Sequence, residues 1–154
     1  MSGMLTITRA NKADFPEILR LQYAAYQSEA EIYDDYTIQP LTQTLEQLER
    51  EAEEWIVFKA ELSGRIVGSV RVRPGEGQCT IGKLIVHPDV QNRGVGKRLM
   101  KAVEDSFPDV KTIELFTGHR SERNIQFYSK LGYEIFKEEE VNDRLILVYF
   151  RKEL

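Results

Sequence analysis

A chain of 154 residues, 42% hydrophobic and 30% charged, can bury one core and leaves little room for a second domain. Its formal net charge is −4 with both signs interspersed, so no basic field exists to hold a nucleic acid as partner. The lone cysteine, Cys79, excludes an intramolecular disulfide, and no stretch approaches the ~20 apolar residues of a membrane span.

Met1-Ser2-Gly3-Met4 is not followed by the apolar run of a signal peptide, which leaves the cytosol as the expected compartment. Leu5-Thr6-Ile7-Thr8 alternates like a short strand. Asp14 is then placed to cap a helix with Pro16 in its first turn and Ile18, Leu21 and Ala25 on one face. Ile32-Tyr33-Asp34-Asp35-Tyr36 loses helical periodicity on the way to Pro40 and reads as a loop. A second helix is expected at about residues 42–53, anchored by Leu45 and Leu48.

Residues 55–62 and 65–72 read as strands joined by the hairpin turn Ser63-Gly64. The next strand, 78–86, turns apolar on both faces at Leu84-Ile85-Val86, as does a strand covered on both sides. It carries Cys79, a buried apolar residue on this reading; no second cysteine stands near His87 or His119, so no metal is expected. Helix 94–106, strand 112–116, helix 121–131 and an antiparallel pair, 133–139 with 144–150, complete the chain. The order predicts a single α/β (α+β) domain with helices on a central mixed sheet.

The most informative segment runs from Val86-His87-Pro88 to Arg93-Gly94-Val95-Gly96-Lys97, where a buried strand enters a two-glycine turn that opens an amphipathic helix. Free N–H groups at a helix start, with the positive dipole end behind them, favour phosphate oxygens, and glycine lets a phosphate approach the backbone. Arg93, Lys97 and Arg98 add local positive charge. A P-loop fails on spacing, because Gln91 and Arg98 stand where Gly and Ser or Thr are needed. A dinucleotide fingerprint fails as well, because its third glycine would fall at Leu99.

Further on, Asn124 and Tyr128 are i,i+4 neighbours on a helix, so an amide and a phenol share one face, with Phe127 and Leu131 flanking it and Gln126 and Lys130 pointing away. Gly132 is suited to end that helix. Together, Gln-x-x-Gly-x-Gly after a strand ending in Val-x-Pro and the run Asn124-Ile125-Gln126-Phe127-Tyr128-Ser129-Lys130-Leu131-Gly132-Tyr133 resemble the GNAT superfamily of N-acetyltransferases.

The resemblance implies a mostly antiparallel sheet of about seven strands flanked by about four helices, with acetyl-CoA as acyl donor. It implies that Gln91, Asn92, Arg93, Gly94, Val95, Gly96 and Lys97 form the pyrophosphate loop. Leu84, Ile85 and Val86 would pair with the pantetheine arm, Asn124 would touch coenzyme A, and Tyr128 would protonate the departing thiolate. Thr80 stands where many members carry a catalytic glutamate, so the base is sought in Glu114 on the next strand, in a carboxylate of residues 29–35, or in a water chain.

The acceptor site is expected around Glu29, Tyr33, Asp34, Asp35 and Tyr36, where carboxylates beside tyrosines suit a cationic amine. The expected acceptor is a small-molecule primary amine, and a homodimer is compatible with the family. Transfer to a protein N-terminus or lysine, and a non-catalytic acyl-CoA-binding module, are the competing readings.

Overall fold

The computed structural model describes residues 4–154. The strands are β1 (Leu5–Arg9), β2 (Ile56–Leu62), β3 (Arg65–Pro74), β4 (Gln78–Val86), β5 (Thr112–Gly118), β6 (Glu134–Glu140) and β7 (Ile146–Glu153). They form one seven-stranded sheet in the order β1-β2-β3-β4-β5-β7-β6. Among the described residues only β4 and β5 run parallel; every other neighbouring pair is antiparallel. The mixed, mostly antiparallel sheet is the one expected.

The helices are α1 (Phe15–Ala25), α2 (Gln27–Tyr33), α3 (Gln39–Thr42), α4 (Leu45–Glu51), α5 (Val95–Ser106) and α6 (Glu122–Lys130). The excess over the expected four comes from α2 and α3, which occupy much of the stretch between the first two predicted helices. At seven and four residues, they are too short to persist by helix propensity and depend on tertiary contacts. Asp14 does not cap α1 with its side chain. Its carboxylate instead accepts from the Asn11 N–H (2.9 Å) and Lys59 Nζ (3.0 Å), while Asn11 caps the short 3₁₀ turn Lys12–Asp14. Thr44 and Gln47 form a reciprocal capping box that starts α4 at Leu45.

Strand alternation sends apolar side chains to both faces of the sheet. Val70, Val72, Ile81, Ile113, Leu115 and Phe150 meet Leu99, Met100 and Val103 of α5 in one buried cluster. On the other face, Val57, Ile66 and Ile85 meet Ile18 and Leu21 of α1 and Leu48 of α4. Leu84 and Val86 pack against the first cluster and Ile85 belongs to the second, which accounts for the doubly apolar end of β4.

Two irregularities position the site. The β3–β4 register passes from Val72↔Ile81 to Val70↔Leu84, so β4 carries one extra residue near Gly82 and Lys83 and bends there. The parallel β4–β5 pairing covers only Gln78↔Thr112, Cys79↔Ile113 and Thr80↔Glu114. Beyond Thr80 the two strands diverge and a cleft opens between them.

Candidate active site

Past the last β4–β5 pair, Leu84, Ile85 and Val86 still pair with Val70, Ser69 and Gly68 of β3. Their backbone has no β5 partner on the opposite edge. That edge borders a cavity of about 470 Å³, within the size range of small-ligand sites. The glycine turn and α6 complete the walls, together with the junction of α1 and α2.

The turn has the conformation of an anion cradle. Asn92 (φ 66°) and Gly94 (φ 80°) adopt left-handed backbone, and Gly94 stands at the N-cap of α5 with no side-chain cap. The first N–H groups of α5 therefore keep their donors free. A Cβ on Gly94 would meet nothing within 4 Å, so the space beside that backbone is open. Gly96 has another role, because a Cβ there would come within 3.2 Å of the Phe127 ring. It lets α5 approach α6.

Of the residues implied for the donor, Leu84, Ile85, Val86, Gln91, Asn92, Gly94, Val95, Gly96, Lys97, Asn124 and Tyr128 all line the cavity, and Arg93 does not. Arg123 replaces it, donating to the Gln91 side-chain oxygen. Gln126 and Lys130, expected to point away, also border the cavity, so Lys97, Arg123 and Lys130 place three cations around it.

Tyr128 is 6% exposed, with its ring 5.8 Å from those of Tyr133 and Phe150. Its hydroxyl hydrogen-bonds to no described residue, and Tyr128 belongs to the cavity wall. Burial raises its pKa, and the nearby Tyr26 and Tyr133 phenols and Glu29 carboxylate add to the effect. Tyr26, at the end of α1, lines the same cavity. Burial pushes it up to about 12, with Arg71 opposing and Glu29 and Glu51 reinforcing. Both phenols stay protonated at neutral pH.

Glu29 supplies the sole carboxylate among the described cavity-lining residues. It accepts from the Ser121 hydroxyl, and Asn124 Nδ2 lies 3.4 Å from its other oxygen and 3.2 Å from Thr117 Oγ1. The other candidates for the base and the acceptor site fall outside the cavity. Glu114 is held by Arg151 Nε (3.0 Å) and Nη2 (2.8 Å) and by Gln78 Nε2 (3.0 Å), which ties it to the sheet surface. Tyr33 points inward and is 7% exposed. Asp34 ends α2 in left-handed backbone and offers its carbonyl to Arg144 (3.0 Å), Asp35 binds Thr37, and Tyr36 is exposed. The chemistry-bearing members of this segment turn inward at Tyr26 and Glu29, not at residues 34–36. Among the described residues no His, Cys, Asp and Glu side chains cluster as a metal site, and no helix is long and apolar enough to cross a membrane.

A strand edge without a partner and a glycine turn at a helix start suit an extended, phosphate-bearing ligand, and a phenol and a carboxylate line the same cavity. A family model described as the Acetyltransferase (GNAT) family matches residues 15–133, and the chain belongs to that family. Among curated relatives, the UPF0157 protein YqkA of Bacillus subtilis is 27% identical over 118 residues, covering 77% of this chain but only 34% of its own length. The uncharacterized N-acetyltransferase YjcF of the same organism is 28% identical over 104 residues, covering 68% of this chain and 71% of YjcF. Solved structures share the fold, two of them as follows. The ribosomal-protein-S18-alanine N-acetyltransferase of Escherichia coli has a TM-score of 0.81 at 16% identity, with 97% and 94% of the two chains covered. The PaiA N-acetyltransferase of Thermoplasma acidophilum, solved with coenzyme A, has a TM-score of 0.79 at 13% identity, with 98% and 99% covered.

Proposed function

We propose that this protein transfers the acetyl group of acetyl-CoA directly to the primary amine of a small molecule. The observation that carries the reading is the unpaired β4 edge running from the glycine turn towards Tyr128 and Glu29 in one cavity. The backbone of Leu84, Ile85 and Val86 offers donors and acceptors to the amide-bearing arm of coenzyme A. The free N–H groups at the start of α5, with Lys97, Arg123 and Lys130, take its pyrophosphate. Open space beside Gly94 fits that role.

At the far end the Glu29 carboxylate holds the incoming ammonium and takes its proton, so that a neutral nitrogen attacks the thioester carbon. The C–N bond forms and the C–S bond breaks, the nitrogen gives up its second proton to water, and coenzyme A leaves as the thiolate, to be protonated by solvent. The Tyr128 hydroxyl donates its hydrogen bond to sulfur as negative charge gathers there. Cys79 is fully buried in the sheet, with burial raising its pKa, and it lies outside the cavity, which leaves a covalent acyl-enzyme without a nucleophile.

The test is thiol release from acetyl-CoA across a panel of polyamines, amino acids and peptides, with the acetylated product identified by mass spectrometry. Amine-dependent release with one acetyl transferred per thiol supports the reading. Preference for peptides would reassign the acceptor to proteins, and silence with every amine would overturn the enzyme.

A further inference from the structure

Tyr33 and Ser121 have no part in the donor site, yet both are buried, 7% and 2% exposed, directly behind Glu29. Their hydrogen bonds run in one direction by donor count alone. Glu29 as a carboxylate can only accept, so Ser121 spends its single hydroxyl proton on Glu29 Oε2. The Ser121 oxygen, 3.2 Å from the Tyr33 hydroxyl, must then accept from that phenol. The Tyr33 oxygen in turn accepts the Arg120 backbone N–H at 3.0 Å. The chain is Arg120 N–H to Tyr33 O–H to Ser121 O–H to Glu29.

Two further features show that this path is built into the fold. Ser121 occupies the N-cap of α6, where a serine hydroxyl ordinarily caps the helix, but here the hydroxyl makes no cap bond and is turned to Glu29. At the end of β5, Gly118 has no positive φ to explain its glycine. A Cβ there would sit 1.9 Å from the Tyr33 hydroxyl oxygen and 2.6 Å from its ring carbon, so the missing side chain makes room for the phenol. The result ties α2, a seven-residue helix, to the β5–α6 junction through the Glu29 side chain.

We infer that Tyr33 and Ser121 are positioning residues for the acceptor amine: they hold Glu29 Oε2 and leave Oε1 turned towards the cleft. The inference rests on Glu29 being the group that meets the amine. With Oε2 fixed, Oε1 keeps only the 3.4 Å approach of Asn124, too long for a strong bond, and is the oxygen an ammonium can claim. The carboxylate then enters each turnover in one orientation and not as a freely rotating group.

A double-mutant cycle on kcat/KM tests this, using the fastest amine of the panel and acetyl-CoA affinity as the control. Ser121→Ala should lower kcat/KM for the amine about 10-fold, mainly through KM, with acetyl-CoA affinity unchanged. Tyr33→Phe keeps the ring and its packing, and should show a smaller fall in the same direction. In a Glu29→Gln background, Ser121→Ala should add almost nothing, because nothing is left to position. A Ser121→Ala effect of full size in that background would overturn the relay and make Ser121 merely structural. Normal amine kinetics in both Ser121→Ala and Tyr33→Phe, with Glu29→Gln impaired, would also overturn the relay alone. Normal kinetics in Glu29→Gln itself would overturn the role of Glu29 and the relay together.

Discussion

Tyr128 and Glu29 meet the same cavity from different elements, and the proposed mechanism gives them opposite tasks. Burial raises the Tyr128 pKa, so the phenol keeps its proton at any working pH. A thiol near ~8.5 is the stronger acid, so complete proton transfer from this phenol to a free thiolate runs uphill. In the proposed mechanism its contribution is a hydrogen bond that strengthens as charge develops on sulfur. Tyr128→Phe should therefore lower the single-turnover rate by ~10²-fold, the low end for loss of a proton donor, with acetyl-CoA affinity nearly unchanged. A rate within a factor of about two of the parent would remove Tyr128 from the chemistry. The i,i+4 spacing put Asn124 and Tyr128 on one helix face, and the resemblance to the GNAT family marked that face as a candidate site. Tyr26 was not: beside Leu19 and Gln22 it reads as one more flank of an amphipathic helix, and only the turn into α2 brings it to the cleft.

Elements explain which parts of the sequence could be read and which could not. Strands with strict alternation, the glycine turn and the helix ended by Gly132 (φ 96°) carry their own local signals. The α2 segment does not, since its seven residues owe their helix to contacts with distant partners such as Ser121 and Arg144. The two glycines of the turn looked equivalent by spacing, but the structure separates them. Gly94→Val faces open space with a left-handed backbone to strain, so acetyl-CoA affinity should fall steeply by calorimetry while the chain stays folded. Gly96→Val drives into Phe127 and should lower both affinity and unfolding stability. Equal thermal stability for the two variants would contradict this division.

A second element-level prediction concerns how α1 and α4 are held on the sheet. Arg71 of β3 is 1% exposed and donates to Gln22 of α1, to Gln43 Oε1 (3.2 Å) and to Glu51 Oε1 of α4 (3.2 Å). Burial alone would raise the Glu51 pKa, but the Arg71 and Lys83 charges and the hydrogen bonds from Gln43 and Arg71 outweigh it and hold it below its ordinary 4.5. The stabilisation from this pair is therefore complete above pH 4.5 and is lost as pH falls through the lower folded value. Arg71→Ala should cost ~3–5 kcal/mol in urea unfolding at neutral pH, by stranding its buried partners. The gap from the parent should narrow on acidification below pH 4.5. A gap that widens there would contradict the pairing.

At the scale of the whole molecule, one sheet does two jobs. Its antiparallel majority, packed on both faces, is a rigid frame, and its one parallel pair separates after three residue pairs to make the cleft. Around that cleft an otherwise acidic chain gathers Lys97, Arg123 and Lys130. The strands and the glycine turn could be anticipated because periodicity and spacing are local, and the resemblance to the GNAT family supplied the rest of the sheet and the donor reading of the turn. The Glu29 end of the cleft depends on how α2 folds back onto the β5–α6 junction, a long-range event that no window of sequence reports.

In the proposed function, acetyl-CoA lies along the free edge of β4 with its pyrophosphate on the glycine turn. Titrating acetyl-CoA into ¹⁵N-labelled protein and following the backbone amides tests it directly. Saturable shifts are expected at residues 84–86 and 92–97, spreading to Asn124 and Tyr128, with β1 and β6 unmoved. Shifts centred elsewhere on the sheet, or none at millimolar acetyl-CoA, would contradict it.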